Sequence, residues 1–269
     1  MSQRYKMKIS TYNVNSVNAR IDNLSDWLKA ESPDTVLLQE IKCEFDAFPF
    51  FELQSLGYNA RILGEKSYNG VAVLSRHKIE VTAEGLPGFP DEHARFLEAR
   101  IKADETVWRV ASIYMPNGNP PYNAPDDVSR FDYKIRWMQA FYQYAVRLRQ
   151  SREPVILGGD FNVILTGRDV YDPEAFKNNA LFRPEVRKLL KSVEYLGFYD
   201  AFRAQHPAET AYTYWDYAGG AFQNDQGLRI DYLLMSPSAL DRLQSVKVDK
   251  NPRRAAKPSD HTVLTAELK

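Results

Sequence analysis

Pro154-Val155-Ile156-Leu157-Gly158-Gly159-Asp160-Phe161-Asn162 is the stretch from which the rest of this chain can be read. Residues 154–157 are a short apolar run suited to a buried strand, and the run ends abruptly in two glycines and an acid. Side chains two apart on an extended segment point the same way, so Asp160 and Asn162 would share one pocket while Phe161 anchors in the core. Glycine permits close backbone approach, which a strand passing near a ligand or another strand needs. Gly-Gly-Asp suits a plain β-turn equally well, and this stretch alone leaves the two readings even. In a pocket, Asp160 could handle a proton or a metal, and the Asn162 amide could donate to a phosphate oxygen.

Working outward, the same pattern recurs. Residues 35–38 form another apolar strand that stops at Gln39-Glu40, and residues 229–235 carry Asp231 within a β-like run. Ser259-Asp260-His261 opens a terminal strand over 261–268. Ile9 to Val14 reads as a first strand, as do Val71 to Leu74 and Val107 to Met115. Ile21, Leu24 and Leu28 follow helical spacing, with Asn18 as N-cap and Pro33-Asp34 as the stop. Apolar residues at 131, 135, 138, 142, 145 and 148 predict a longer helix over 131–148. Strands and helices alternate without a linker, so residues 1–269 are expected to form a single α/β domain. Such sheets place ligand sites at strand ends, and Glu40, Asp160, Asp231 and Asp260 are expected to converge there.

Composition limits the partners. Hydrophobic residues are 44 % and charged residues 26 %, a balance that fits a soluble globular protein. The one cysteine, Cys43, has no partner in the chain, which fits a reducing compartment and an expected cytoplasmic location. No N-terminal signal stands out, and no apolar run reaches the roughly 20 residues that span a bilayer. Lys and Arg number 35 against 35 Asp and Glu, which argues mildly against a nucleic-acid partner. Basic runs at Arg183, Arg187, Lys188 and Lys191, and at Lys250, Arg253, Arg254 and Lys257, reduce that objection, although solvated faces explain such runs as well.

Glu40 at the end of a buried strand can hold a hard cation through one oxygen, with water in the remaining positions, as Mg²⁺ prefers. Taken alone, a strand-terminal Glu facing solvent is the commoner case. Of the histidines, His77, His93, His206 and His261, only the last adjoins an acid and a strand within reach of the others. An imidazole oriented by a buried acid such as Asp231 suits general-base work, while Arg229 offers Asp231 an ordinary ion-pair partner instead. Asn13, Asn15 and Tyr114 add neutral hydrogen-bonding groups near strand ends. Together these residues point to metal-assisted phosphoryl transfer. A P-loop, a Gly-x-Gly-x-x-Gly turn and zinc-type Cys/His spacing are all missing from the sequence.

Seven segments, taken in order, resemble the exonuclease III and AP endonuclease family of the deoxyribonuclease I-like phosphodiesterases. They are Tyr12-Asn13-Val14-Asn15, Leu38-Gln39-Glu40-Ile41-Lys42, Tyr68-Asn69-Gly70-Val71-Ala72, Tyr114-Met115-Pro116-Asn117-Gly118, Gly158-Gly159-Asp160-Phe161-Asn162, Leu228-Arg229-Ile230-Asp231-Tyr232 and Ser259-Asp260-His261. The resemblance implies a four-layer α/β sandwich, two mixed β-sheets packed face to face with helices outside, and a site at one edge. It implies Mg²⁺, with Mn²⁺ as a substitute, held principally by Glu40 with Asn13, Asp160, Asn162, Asp260 and His261 as further ligands. Asp160 would manage protons, Asp231 would orient His261, and Tyr114 and Asn162 would bind the phosphate. Whether Asp160 or His261 activates the water stays open. Tyr214, Trp215, Leu228 and Ile230 would wall a pocket that admits a base-free sugar and excludes a full nucleotide by shape, though Trp215 could equally be core. Arg95 and Asn117 would contact DNA.

The implied activity is cleavage 5′ to abasic sites and removal of 3′-terminal nucleotides or blocking groups from double-stranded DNA, by a monomer with no membrane attachment. Two other readings are carried beside it. One is a phosphodiesterase or phosphatase of the same fold acting on a non-DNA substrate, and the other is a catalytically silent DNA-binding module. Turnover of a duplex bearing one abasic analogue separates the nuclease from the non-DNA enzyme, and a metal-free binding assay beside it separates the silent module.

Overall fold

The computed structural model describes residues 7–269. Among the described residues, twelve strands build two sheets. In chain order they are β1 (Met7–Asn13), β2 (Thr35–Gln39), β3 (Asn59–Leu63), β4 (Val71–Ser75), β5 (Ile79–Glu84), β6 (Phe96–Ala103), β7 (Thr106–Tyr114), β8 (Val155–Asp160), β9 (Tyr199–Asp200), β10 (Asp231–Met235), β11 (Leu243–Asp249) and β12 (Val263–Leu268). The helices are α1 (Ile21–Glu31), α2 (Phe50–Ser55), α3 (Ser129–Leu148), α4 (Pro173–Phe176), α5 (Pro184–Tyr195), α6 (Ala201–Gln205), α7 (Pro237–Leu240) and α8 (Asn251–Arg254).

One sheet runs β11-β12-β1-β2-β4-β3 and the other β5-β6-β7-β8-β10-β9. Each is mixed: β1–β2 and β7–β8 are parallel, and the remaining neighbours are antiparallel. The central core joins Ile9, Leu37 and Val73 of one sheet to Leu97, Val110, Ile156 and Leu233 of the other. A second cluster seats α3 and α5 on the outer face of the β7–β8 sheet, and a third seats α1 and α2 on the outer face of the β1–β2 sheet. Helix, sheet, sheet and helix make the four expected layers. Among the described residues, no helix is long and apolar enough to cross a membrane.

Local expectations needed adjustment in places. Asn18 is not the cap of α1: a 3-10 turn over Asn18–Arg20 precedes the helix, and the Asn18 amide donates to the Ala47 carbonyl at 3.0 Å. The helix is stopped by left-handed Ser32, whose N–H closes on Leu28, one residue before Pro33. On α3 the buried stripe is Lys134, Trp137, Met138, Phe141, Tyr144, Ala145 and Leu148, while Phe131, Ile135 and Tyr142 are only half-buried. Large aromatics set the buried face there, rotating it from the aliphatic spacing.

The Gly158-Gly159 pair is strand and not turn, and close packing is the reason. A Cβ on Gly158 would meet Leu37 Cδ1 at 2.6 Å across the sheet interface and Leu233 Cδ2 at 2.8 Å. A Cβ on Gly159 would be driven into the backbone of Ile113 on β7. Backbone cannot swing aside as a side-chain tip can, so Gly159→Ala is expected to cost about 3 kcal/mol of stability. Thermal melts check this, and a wild-type melting curve would show that β7 and β8 lie further apart than described here.

Candidate active site

Parallel pairing and antiparallel pairing together gather the acids at one edge. Asn13 ends β1, Glu40 follows β2, Tyr114 ends β7 and Asp160 ends β8. Because β10 runs antiparallel to β8, Asp231 opens its strand directly opposite Asp160, and Tyr114 is the register partner of Asp160 on the other side. His261 likewise precedes β12. Two of the four expected acids, Asp231 and Asp260, are therefore at strand beginnings and not at strand ends. Beneath them, Gln39 is buried and donates to Ser112 Oγ at 3.0 Å across the sheets, while Ser112 donates to the Leu38 carbonyl at 2.7 Å. The two sheets are thus locked together just below the site.

The chain leaves these strands by unusual backbone turns. Asn15, Ser16, Glu40, Lys42 and Asn162 all have positive φ, a region costly for residues with a Cβ. At φ 48, Asn162 is not extended, so the side chains of Asp160 and Asn162 meet through a turn and not through strand alternation. Phe161 does anchor in the core, against Phe141 and Tyr232.

Glu40, Asp160 and His261 each offer a ligand atom within 4.8 Å of the others, a spacing that a single cation could bridge. Asn13 donates its amide to Glu40 Oε1 at 2.8 Å and to Asp160 Oδ2 at 3.0 Å, while its own oxygen accepts the Asn15 N–H at 3.1 Å. It tethers the two carboxylates and presents nitrogen where a cation ligand needs oxygen. Asp260 stands outside that trio, accepting from Asn15 Nδ2 at 3.1 Å. Two carboxylates in a mostly oxygen environment suit a hard divalent ion that keeps part of its water shell.

His261 is buried, its Nδ1 2.9 Å from Asp231 Oδ2 and its Nε2 3.7 Å from Asp160 Oδ2. Burial alone would discharge the ring, but the Asp231 and Asp160 carboxylates outweigh it and push its pKa up to about 10. Asp160 is pushed up to about 7 by burial and by the Asp231 and Glu40 charges, with His261 opposing. Burial would likewise raise Glu40, yet the Lys42 ammonium at 2.8 Å and the Asn13 amide hold it below its usual range. Burial beside the Glu40 and Asp160 carboxylates keeps the Tyr114 phenol protonated, well above its ordinary value. Asp231 Oδ1 is buried without a partner among the described residues.

Asn162 donates to the Met115 carbonyl at 2.9 Å and to Asp160 Oδ2 at 3.3 Å, and accepts from Asn117 at 3.1 Å. A phosphate oxygen could reach its amide only by replacing the longer of these donations. Arg95 lies beside the site, its guanidinium 5.0 Å above the Tyr114 ring and 5.7 Å from Tyr133. Arg229 does not pair with Asp231; it is buried against Asp169 and Asp200, each at 2.7 Å. His77, His93 and His206 each sit beside a surface carboxylate, away from the cleft.

These groups floor an open cleft of about 530 Å³. Tyr214, Leu228 and Ile230 line it as expected, together with Asn117. Trp215 does not. Its ring is buried against Tyr212 and Phe222, with Nε1 donating to Asp225 at 3.1 Å, while its N–H holds the Asp260 carbonyl at 2.9 Å. The basic run after Lys250 stiffens the same loop, since Lys250 pairs with Asp225 and Arg253 stacks on Tyr217 and Phe222.

Lys134 is a residue that the sequence reading missed. Fully buried on α3, it donates to the carbonyls of Asn117 at 2.9 Å, Asn162 at 2.6 Å and Ala180 at 3.3 Å. Burial pushes its pKa down to about 7. A lysine spaced four residues before Met138 on the buried face was the available signal.

Residues 10–261 match the pattern of the endonuclease/exonuclease/phosphatase family. An AP endonuclease from Archaeoglobus fulgidus superposes with a TM-score of 0.90 at 34 % identity, covering 98 % of this chain and 99 % of its own. A 3′–5′ exonuclease from Neisseria meningitidis does so with a TM-score of 0.90 at 35 % identity, covering 98 % and 100 %. DNA repair nuclease APEX1 of Danio rerio is 32 % identical over 270 residues, 97 % of this chain and 82 % of its own length.

Proposed function

The chain belongs to the endonuclease/exonuclease/phosphatase family, and from that premise we propose that it is a Mg²⁺-dependent DNA repair nuclease. It cuts 5′ to abasic sites and removes 3′-terminal nucleotides or blocking groups from duplex DNA. It acts as a cytoplasmic monomer through one catalytic domain spanning residues 1–269. The observation that carries this reading is the meeting of Glu40, Asp160 and the Asp231–His261 pair at the floor of one open cleft. The relatives named above, an AP endonuclease, a 3′–5′ exonuclease and a DNA repair nuclease, support it.

Glu40 and Asp160 would hold the cation through their oxygens, with the protonated His261 ring next to them but outside the ligand set, and Mn²⁺ could stand in for Mg²⁺ at such an oxygen-rich site. When bound, the cation supplies Lewis-acid polarisation of the scissile phosphate. Asp231 fixes the imidazole so that the Nε2 proton faces the phosphate, as an orienting carboxylate does. We assign the proton of the attacking water to Asp160, which passes a proton on to the leaving 3′ oxygen as the P–O3′ bond breaks, because His261 is committed as the charged partner of Asp231. Tyr114 keeps its proton and donates a hydrogen bond to a phosphate oxygen. Asn162 and Asn13 hold the Asp160 carboxylate from two sides.

Three duplexes assayed side by side test the proposal: one with an internal tetrahydrofuran abasic analogue, one blunt and one ending in a 3′-phosphate. Scission at the analogue and release from the 3′ ends are expected with Mg²⁺ and are lost with a chelator. Binding without turnover on any duplex would leave a silent DNA-binding module. Turnover confined to small phosphate esters would move the substrate away from DNA.

A further inference from the structure

One wall of the cleft, residues 170–181, takes no part in the chemistry above. Tyr171 and Phe176 both line the cleft, their rings edge to face with centroids 5.8 Å apart at 78°. Tyr171 is 43 % exposed, yet the backbone that carries it is locked. Its N–H donates to the Gly227 carbonyl at 3.1 Å, and Val170 bridges to Leu228. One residue earlier, buried Asp169 closes a capping box with Thr166 and pairs with Arg229 at 2.7 Å. Phe176 ends α4, which Asp172 caps through the N–H groups of Glu174 and Ala175. Its ring packs on the cluster of Leu181, Leu228 and Ile230. An exposed ring on so fixed a mount is pre-organised for a flat partner.

We infer that the Tyr171–Phe176 pair is a stacking shelf for a nucleobase, so that the cleft takes in a whole 3′-terminal nucleotide and not only a base-free sugar. The inference rests on the nuclease reading above. Two observations and one general property of aromatic rings support it. The cavity, about 530 Å³, falls in the range that houses complete small ligands. It is carboxylate-rich where the phosphate would lie and aromatic along residues 171–176. An aromatic face also accepts any base, which suits an enzyme that removes successive nucleotides without reading sequence. Undamaged internal nucleotides stay out because extrusion costs stacking and pairing, and that cost is lowest at a frayed end or an abasic site. Selection then lies in the cost of extrusion more than in exclusion by the walls.

Tyr171→Ala and Tyr171→Trp test the shelf on three substrates: a duplex with an ordinary 3′-terminal nucleotide, one with a 3′-phosphate, and one with an internal tetrahydrofuran. Tyr171→Ala is expected to lower kcat/KM for nucleotide release by roughly tenfold and to spare the two substrates that present no base. Tyr171→Trp should restore release. A 3′-terminal 2-aminopurine, bound with the metal chelated, should be quenched by wild type and less so by Tyr171→Ala. Equal losses on all three substrates, or undiminished nucleotide release, would overturn the shelf. A wild-type protein inactive on all three would instead overturn the nuclease reading beneath it.

Discussion

His261→Asn is expected to lower kcat by about 10³- to 10⁴-fold, the range for removing a buried, charged donor aimed at the reacting phosphate and so disabling the pair it forms with its orienting carboxylate. The imidazole is buried and lies between Asp231 and Asp160, so no water can take over its position or its charge. Asp231→Asn should lose nearly as much. It removes the charge that holds the ring protonated and breaks the 2.9 Å contact that fixes its orientation. Since the carboxylate acts only through the ring, the double variant should be little worse than the worse single one. Strictly additive losses in ln kcat would show that the two act independently. Both variants should still bind duplex DNA, which separates a catalytic loss from a folding defect.

Glu40→Gln is expected to raise the Mg²⁺ concentration needed for half-maximal activity by about 10- to 100-fold and to slow turnover at fixed Mg²⁺ by about 100-fold. Its carboxylate is one of only two in the trio that could bridge a cation, and Lys42 and Asn13 orient its two oxygens. Duplex affinity should hardly change, because phosphate contacts dominate binding. Lys42 keeps a partner in Asn15 Oδ1 at 2.6 Å, so the substitution leaves no orphaned ammonium. Mg²⁺ titration followed by intrinsic fluorescence, without DNA, gives a second readout. Superimposable titrations for wild type and variant would remove Glu40 from the cation site.

Sheet and helix order were legible because each carries its own period: β1, β2, β4, β7, β8, α1 and α3 all fall within a few residues of where the apolar pattern puts them. Strands β3, β5, β6, β9 and β11 and every helix other than α1 and α3, α5 among them, were not read. Strands β3, β5 and β11 expose alternate or irregular polar positions, and the basic run of α5 masks its buried Val186, Leu190 and Val193. Glu40, Asp160, Asp231 and His261 stood out because each interrupts or borders an apolar strand. Trp215 did not separate from the pocket walls, since an aromatic beside Tyr214 reads the same whether it faces a cleft or a loop core.

By itself, then, the sequence determined which residue types stand at the strand termini, and with them the class of chemistry. Why 158 and 159 must be glycine was settled only by packing, since a Cβ there would meet Leu37, Leu233 and the Ile113 backbone of other strands. Only the tertiary structure decided which acids lie close enough to share a cation, that Asn13 tethers carboxylates, that Lys134 pins three loops, and that residues 170–181 complete the cleft. Those relations join groups as far apart as Asn15 and Asp260, 245 positions away. They depend on the antiparallel register that sets Asp231 opposite Asp160, on the left-handed turns after the strands and on the meeting of two sheets. Periodicity reports which side of an element is buried. It carries no information about what lies opposite, because that is fixed by pairing between distant strands.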